Sequence, residues 1–316
     1  MISVALAGST KYAKHCAAAL AAQTDFSLSL VITPEAKPSG RNKLRQQNPL
    51  SSFAEQADIP QIYVREKISA ETKNELNKYP RPDFLLIVDF GYWIPQWLRA
   101  WPVKQPLNIH PSALPRWRGS SPGQFVLLYG EAVSAVSLIE VVATMDTGAI
   151  YWQQPFAVAP TWTQTEYYEH AYSLVADALP KLLRQINSGE LSAKPQLPDS
   201  PTPLAHKLTR DDGFVAWRVL QQAVSNQSGV VQNAELSPVL AATHQHGTST
   251  PDLLLTATRA LSPWPQLWTS LPTRKGDVRM KIHSMERKNG QITLEIVQLA
   301  GKKPAHWQQI KSAIIG

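Results

Sequence analysis

Strand-length apolar runs alternate with helical stretches over positions 1–188, and the spacing predicts a repeating strand-and-helix order. Residues 2–7 read as a buried strand and 8–10 as a turn. An Ala-rich helix over 11–22 and a second strand over 27–33 follow. Helices are expected over 51–57, 70–79 with Ser69 as a cap, 121–129, and one long helix over 163–187. Strands are expected over 82–88, 135–142 and 151–158. The run Pro82–Val88 is apolar from Phe84 onward, as in a parallel sheet buried on both faces. Strands alternating with helices predict an α/β class, a doubly wound and mostly parallel sheet. Residues 189–203 hold four prolines and no period, which marks a linker. Beyond them, short alternating strands predict a smaller C-terminal β-barrel of the oligonucleotide-binding kind. The expected division is therefore 1–188, linker 189–203, and 204–316. An extra Gln/Asn/Ser/Thr-rich segment near 221–250 reads as a surface elaboration.

A chain of 316 residues favours about two domains. The composition, 43% hydrophobic and 17% charged, is globular. No apolar run approaches the length of a membrane span. The single Cys16 excludes an internal disulfide and fits a reducing compartment. Because the first residues read directly as a strand, no signal or transit peptide is expected. A cytoplasmic enzyme acting as a monomer is the simplest expectation. The net charge of +7 is unevenly placed: residues 257–316 carry ten Lys/Arg against three Asp/Glu, and the remainder is neutral. Such clustering suits a polyanion such as nucleic acid. A basic face that only aids solubility is the alternative. The turn at 8–10 lacks G-x-G-x-x-G, so no dinucleotide site is expected. The pair His244 and His246 has no nearby Cys or third ligand, and no metal is expected.

Chemistry concentrates at Leu107–Gly119, L-N-I-H-P-S-A-L-P-R-W-R-G, with Asp146 in T-M-D-T-G downstream. Asn108 and His110, two apart on an extended segment, share one face. Asn donates to a developing oxyanion without being charged, and His moves a proton near neutral pH. Pro111 and Pro115 stiffen the loop. Asp146 is the candidate carboxylate that orients the imidazole.

This stretch, N-x-H-x-S-x-L-P-x-W-R-G-x-x-P followed by M-D-T-G, resembles the signature of the folate-dependent formyltransferases, and within them those that act on methionyl-tRNA. The resemblance implies that Asn108, His110 and Asp146 are catalytic and that 10-formyltetrahydrofolate is the co-substrate, without a metal. It implies folate contact at Ser112, Ala113, Leu114 and Pro115, and a pocket wall at Phe90, Gly91 and Tyr92, where relatives read A-Y-G. K-P-S-G-R-N-K-L resembles the loop that inserts beside the tRNA acceptor stem, which implies RNA contact by Arg41, Lys43 and Arg45. R-A-L-S-P-W-P and V-Q-L-A-G-K-K resemble the family's tRNA-binding C-terminal domain. The implied reaction is transfer of the formyl group to the α-amine of initiator methionyl-tRNA. Departures are Asp89, where small residues are usual, and Val142 and Thr144 in the M-D-x-G-L-D-T-G loop. An amino-sugar nucleotide as acceptor and a degenerate RNA-binding relative are the alternative readings.

Overall fold

A computed structural model describes residues 1–36, 38–39, 44–225, 231–274 and 276–315. The chain opens with β1 (Ile2–Gly8), α1 (Lys11–Ala21) and β2 (Phe26–Pro34). Thr10 caps α1, its hydroxyl accepting from the Ala13 amide, which satisfies one of the donors a helix start leaves free. Ala13, Cys16, Ala17 and Leu20 form the buried stripe of α1 at helical spacing. After β2, β3 (Pro38–Ser39) pairs antiparallel with β4 (Leu44–Arg45). Next come α2 (Pro49–Gln56), β5 (Gln61–Val64), α3 (Ala70–Leu76) and β6 (Phe84–Val88). Ser69 and Thr72 form a capping box on α3, in keeping with the expected cap. The elements α4 (Gln96–Arg99), β7 (Gln105–His110), α5 (Pro122–Leu128), β8 (Val133–Glu140), β9 (Ile150–Ala157) and α6 (Gln164–Ser188) follow.

A seven-stranded sheet runs β5-β2-β1-β6-β7-β8-β9. Pairs among β5, β2, β1, β6 and β7 are parallel, and β8 is antiparallel to β7. The sheet is thus mostly parallel and doubly wound, as the pattern predicts. From β1 the chain winds outward to β2 and β5, then returns to β6 on the other side of β1. Loops after β1 and β6 therefore diverge, and this switch point is where ligands gather in such sheets. Every residue of β6 is buried, which accounts for its unbroken apolar sequence.

Two compact units divide the chain. The first comprises 1–120, 134–156 and 168–204 and carries the seven-stranded sheet. The second comprises 121–133, 157–167 and 205–316. In the second unit β10 (Leu267–Leu271), β11 (Val278–Lys288), β12 (Gln291–Leu299) and β13 (Ala305–His306) form an antiparallel sheet in that order. It also holds α7 (Trp217–Val224), α8 (Pro238–Gln245), α9 (Thr250–Ala260) and α10 (Trp307–Ile315). The Gln/Asn-rich segment differs from its expected surface role. Its α8 buries Val239, Leu240, Ala241 and Thr243, because polar residues there cap and flank a short apolar helix. His246 lies against the Tyr129 ring, and the His244 ring meets the Thr250 hydroxyl.

Leu86, at the centre of the sheet and fully buried, has no route to water. Leu86→Ala is expected to lower unfolding free energy by about 3 kcal/mol through lost transfer energy and a residual cavity, read from a denaturant titration.

Candidate active site

The site forms where β6 and β7 end. On β7, Asn108 is half-buried and His110 is buried at 4% exposure. Period-two alternation puts both on one face, about 7 Å apart along the strand. The Asn108 amide makes no side-chain hydrogen bond among the described residues, which leaves its donors to whatever enters from solvent.

His110 is held from two directions. Its Nε2 lies 3.0 Å from the Trp117 carbonyl oxygen, and its Nδ1 lies 3.7 Å from Asp146 Oδ2. The Nε2 contact is a hydrogen bond, whereas 3.7 Å is too long for one and leaves Asp146 facing Nδ1 without a direct bond. The same Asp146 Oδ2 accepts from the Gly119 amide at 2.7 Å. Gly119 has φ 119°, a backbone region that favours glycine, so the close of W-R-G aims its N–H at the carboxylate. Trp117 and Asp146 adopt left-handed φ of 57° and 55° although neither is glycine. Such residues persist only where their surroundings hold them.

Those surroundings are well defined. Ser112 Oγ donates to the Arg116 carbonyl at 2.7 Å, and Ser137 Oγ donates to the Ser112 carbonyl at 2.7 Å. Gln153 Nε2 donates to the Leu114 carbonyl and to Ser137 Oγ. The Trp117 amide donates to Thr202 Oγ1 at 2.7 Å. Arg118, 9% exposed, donates to Gln196 Oε1 and to the carbonyls of Leu197 and Pro198. Residues of the expected linker are therefore seated on the P-R-W-R-G loop. Gly148, just past Asp146, has no space for a side chain, because a Cβ there would fall inside the Glu140 carbonyl.

Of the expected folate contacts, Ser112 is fully buried with its hydroxyl engaged, Leu114 is buried, and Ala113 and Pro115 are half-buried. At the end of β6, Phe90 and Tyr92 are half-buried with ring centroids 5.0 Å apart, and Gly91 is exposed with open space around it. Val142 is half-buried and Thr144 exposed. Arg41, Lys43 and the side chain of Arg45 lie outside the described residues. Sequence reasoning missed Ser137, Gln153, Gln196 and Thr202. None carries a local signal, since a Gln or Ser in a strand or between prolines has many ordinary uses.

Asp89 joins the two sides of the switch point. Its φ is 46°, and the Thr10 side chain after β1 acts to lower its carboxyl's proton affinity. Its surface reaches solvent. Crowding by protein atoms nonetheless pushes its carboxyl above the usual range, against the lowering effect of Thr10, because a charge loses hydration there. Tyr12 stacks on Tyr172 at 4.7 Å, and burial, then Glu169 and Asp89, push its hydroxyl up to about 12. Among the described residues no group of three or more His, Cys, Asp or Glu is placed to hold a metal. No described helix is long and apolar enough to cross a membrane.

A family model described as formyl transferase matches residues 2–183. That span is more than half of the chain and holds the whole Asn108, His110 and Asp146 cluster. The chain belongs to the formyl transferase family. It is 28% identical over 257 residues to the methionyl-tRNA formyltransferase of Idiomarina loihiensis, a match that covers 81% of this chain and 71% of that protein. Its fold is similar to that of methionyl-tRNA formyltransferase from Clostridium thermocellum, with TM-score 0.56 and 14% identity over 95% of this chain and 99% of that one. It is similar to an N-formyltransferase from Helicobacter canadensis in complex with folinic acid and dTDP-3-aminofucose, with TM-score 0.56 and 16% identity over 96% of each chain. This formyl transferase thus shares its fold with a methionyl-tRNA formyltransferase and with an N-formyltransferase bound to a sugar nucleotide.

A carboxyl whose folded pKa is raised binds its proton more readily when folded. It therefore costs stability once pH exceeds that raised value, and costs none at acid pH. Asp89→Asn is expected to raise Tm relative to the parent protein at pH 8, with the gain shrinking toward zero near pH 3, in scanning calorimetry across pH.

Proposed function

We propose that this formyl transferase moves the formyl group of 10-formyltetrahydrofolate to the α-amine of initiator methionyl-tRNA. The observation that carries the reaction is the 3.7 Å approach of His110 Nδ1 to Asp146 Oδ2 beside an unengaged Asn108 amide. The residues fit a folate donor. Phe90 and Tyr92 offer half-buried aromatic surface, Gly91 leaves open space, and Asp89 presents an accessible carboxyl to ring N–H groups. The donor supplies an electrophilic formyl carbon on N10.

When the neutral amine attacks that carbon, the Asn108 amide donates to the oxygen as it gains charge. Removing one such donor costs about 3 kcal/mol elsewhere. As the bond from the formyl carbon to N10 breaks, His110 takes the proton the amine loses and hands it to N10 through Nδ1, which the 3.7 Å gap to Asp146 leaves able to exchange protons, a contribution of roughly 10²–10⁴-fold. Asp146, fixed by the Gly119 amide, faces Nδ1 and orients the ring. Negative charge at Asp146 and the carbonyl of Trp117 together hold the ring in one plane.

The relatives' names support methionyl-tRNA as acceptor, and so does the C-terminal charge. In the second unit a recess of about 340 Å³ is lined by Arg210, Arg279, Lys281 and Trp264, with no carboxylate among its described lining residues. The Arg279 guanidinium lies 4.3 Å over the Trp268 ring. Trp264 is 51% exposed. Cations beside an exposed indole suit a phosphate backbone with unstacked bases. We read residues 204–316 as the tRNA-binding part, 1–188 as the catalytic part, and Arg41, Lys43 and Arg45 as further RNA contacts. The Helicobacter protein's complex with an aminofucose nucleotide makes an amino sugar the second acceptor to test.

Incubation with 10-formyltetrahydrofolate and either methionyl-tRNA or dTDP-amino sugar decides the acceptor; formylation of the sugar alone refutes the tRNA reading. Asn108→Ala, His110→Ala and Asp146→Ala are each expected to lower kcat at least 100-fold with donor affinity within a few-fold, by steady-state kinetics and equilibrium binding. Arg279→Ala is expected to weaken tRNA binding uniformly across sequences and to reduce the slope of log K against log salt by about one phosphate contact.

A further inference from the structure

We infer that Gln196 is a positioning residue for formyl transfer, fixing through one side-chain amide the turn that carries Asp146 and the loop that holds His110. The inference rests on the catalytic reading of Asp146 given above. Gln196 Nε2 donates to the Asp146 carbonyl at 2.9 Å and to the Gly148 carbonyl at 2.7 Å. Both amide hydrogens are spent on one turn. Gln196 Oε1 accepts from Arg118 Nη2 at 3.0 Å and Nε at 3.3 Å. Arg118 is anchored in turn by the Leu197 carbonyl at 2.7 Å and the Pro198 carbonyl at 2.9 Å.

The neighbours of Arg118 explain why this matters to the chemistry. Trp117 presents its carbonyl to His110 Nε2, and Gly119 donates its N–H to Asp146 Oδ2. One end of the Gln196 amide thus grips the Asp146 turn, and the other grips the residue between the two that touch His110 and Asp146. Asp146 needs the grip, because its φ is 55°. A residue with a side chain rarely adopts that conformation unless its surroundings impose it. The side-chain type is also demanding. Two donors and an acceptor in a single plane belong only to Asn and Gln, and a carboxylate there would face two carbonyl oxygens. Lys194 exchanges backbone hydrogen bonds with Ile150, which anchors the segment ahead of Gln196 to the start of β9. An ångström of drift between reacting groups costs roughly 100-fold in rate, so a grip on both loops reaches the rate without touching substrate.

The test compares the parent protein with Gln196→Ala and Gln196→Glu. Expected are a kcat about 10- to 100-fold lower with KM for donor and acceptor within about twofold. The pH profile of kcat is expected to shift, and amide hydrogen exchange is expected to quicken at Gly119 and across 145–149 but not in β1 or β6. Gln196→Glu, which keeps the acceptor and loses the donors, is expected to be no better than Gln196→Ala. Unchanged kcat, or a fall that follows global loss of stability with the pH profile in place, overturns the positioning role. Absence of formyl transfer by the parent protein overturns the underlying reaction instead; the exchange data still report whether the grip exists.

Discussion

The buried imidazole of His110 is the constraint around which the first unit is arranged. A ring with 4% exposure needs partners at both nitrogens or loses hydrogen bonds that water would have supplied. Nε2 has the Trp117 carbonyl and Nδ1 faces the Asp146 carboxylate at 3.7 Å; the two groups come from loops well separated in sequence, and neither loop has regular structure of its own. Positive φ at Trp117, Gly119 and Asp146 turns the required groups inward. At Trp117 and Asp146 this conformation is unfavourable alone; the Trp117 amide donating to Thr202, and hydrogen bonds donated by Gln196, Ser137 and Gln153 to carbonyls of the two loops, offset the cost.

The sheet provides the rigid base for this. Fully buried β6, with β7 beside it, holds the carboxyl end of the sheet still, and side-chain alternation on β7 delivers Asn108 and His110 to the same face. The switch between β1 and β6 opens space beside them, with Thr10 and Asp89 at the ends of its two strands. A carboxylate at 89 gives this member of the family a polar group beside the end of β6. Although it reaches solvent, its proton affinity is raised by crowding, because a charge loses hydration there.

The family and the acceptor rest on different grounds. Family membership follows from a match over residues 2–183, which includes the sheet and the His110 cluster. Acceptor choice cannot follow from the fold, which is shared with a methionyl-tRNA formyltransferase and with an enzyme bound to a sugar nucleotide; function lives in sites grafted on a fold. The uneven charge along the chain and the cation-lined recess in the second unit are what favour a polyanion.

Local pattern in the sequence determined the mostly parallel sheet, its helices, the strand carrying Asn108 and His110, and the N-x-H and D-T-G motifs, because alternation, caps and turn residues act over a few positions. The same local rules misjudged 221–250, where polar flanks concealed the buried face of α8, and they registered 189–203 only as proline-rich. Tertiary structure alone decided that Asp146 faces His110, that Gly119 aims at the carboxylate, and that Gln196 joins the two loops. Hydrogen bonds between residues 27 to 78 positions apart leave no periodicity in the chain; they exist only once the sheet has brought the loops to one edge.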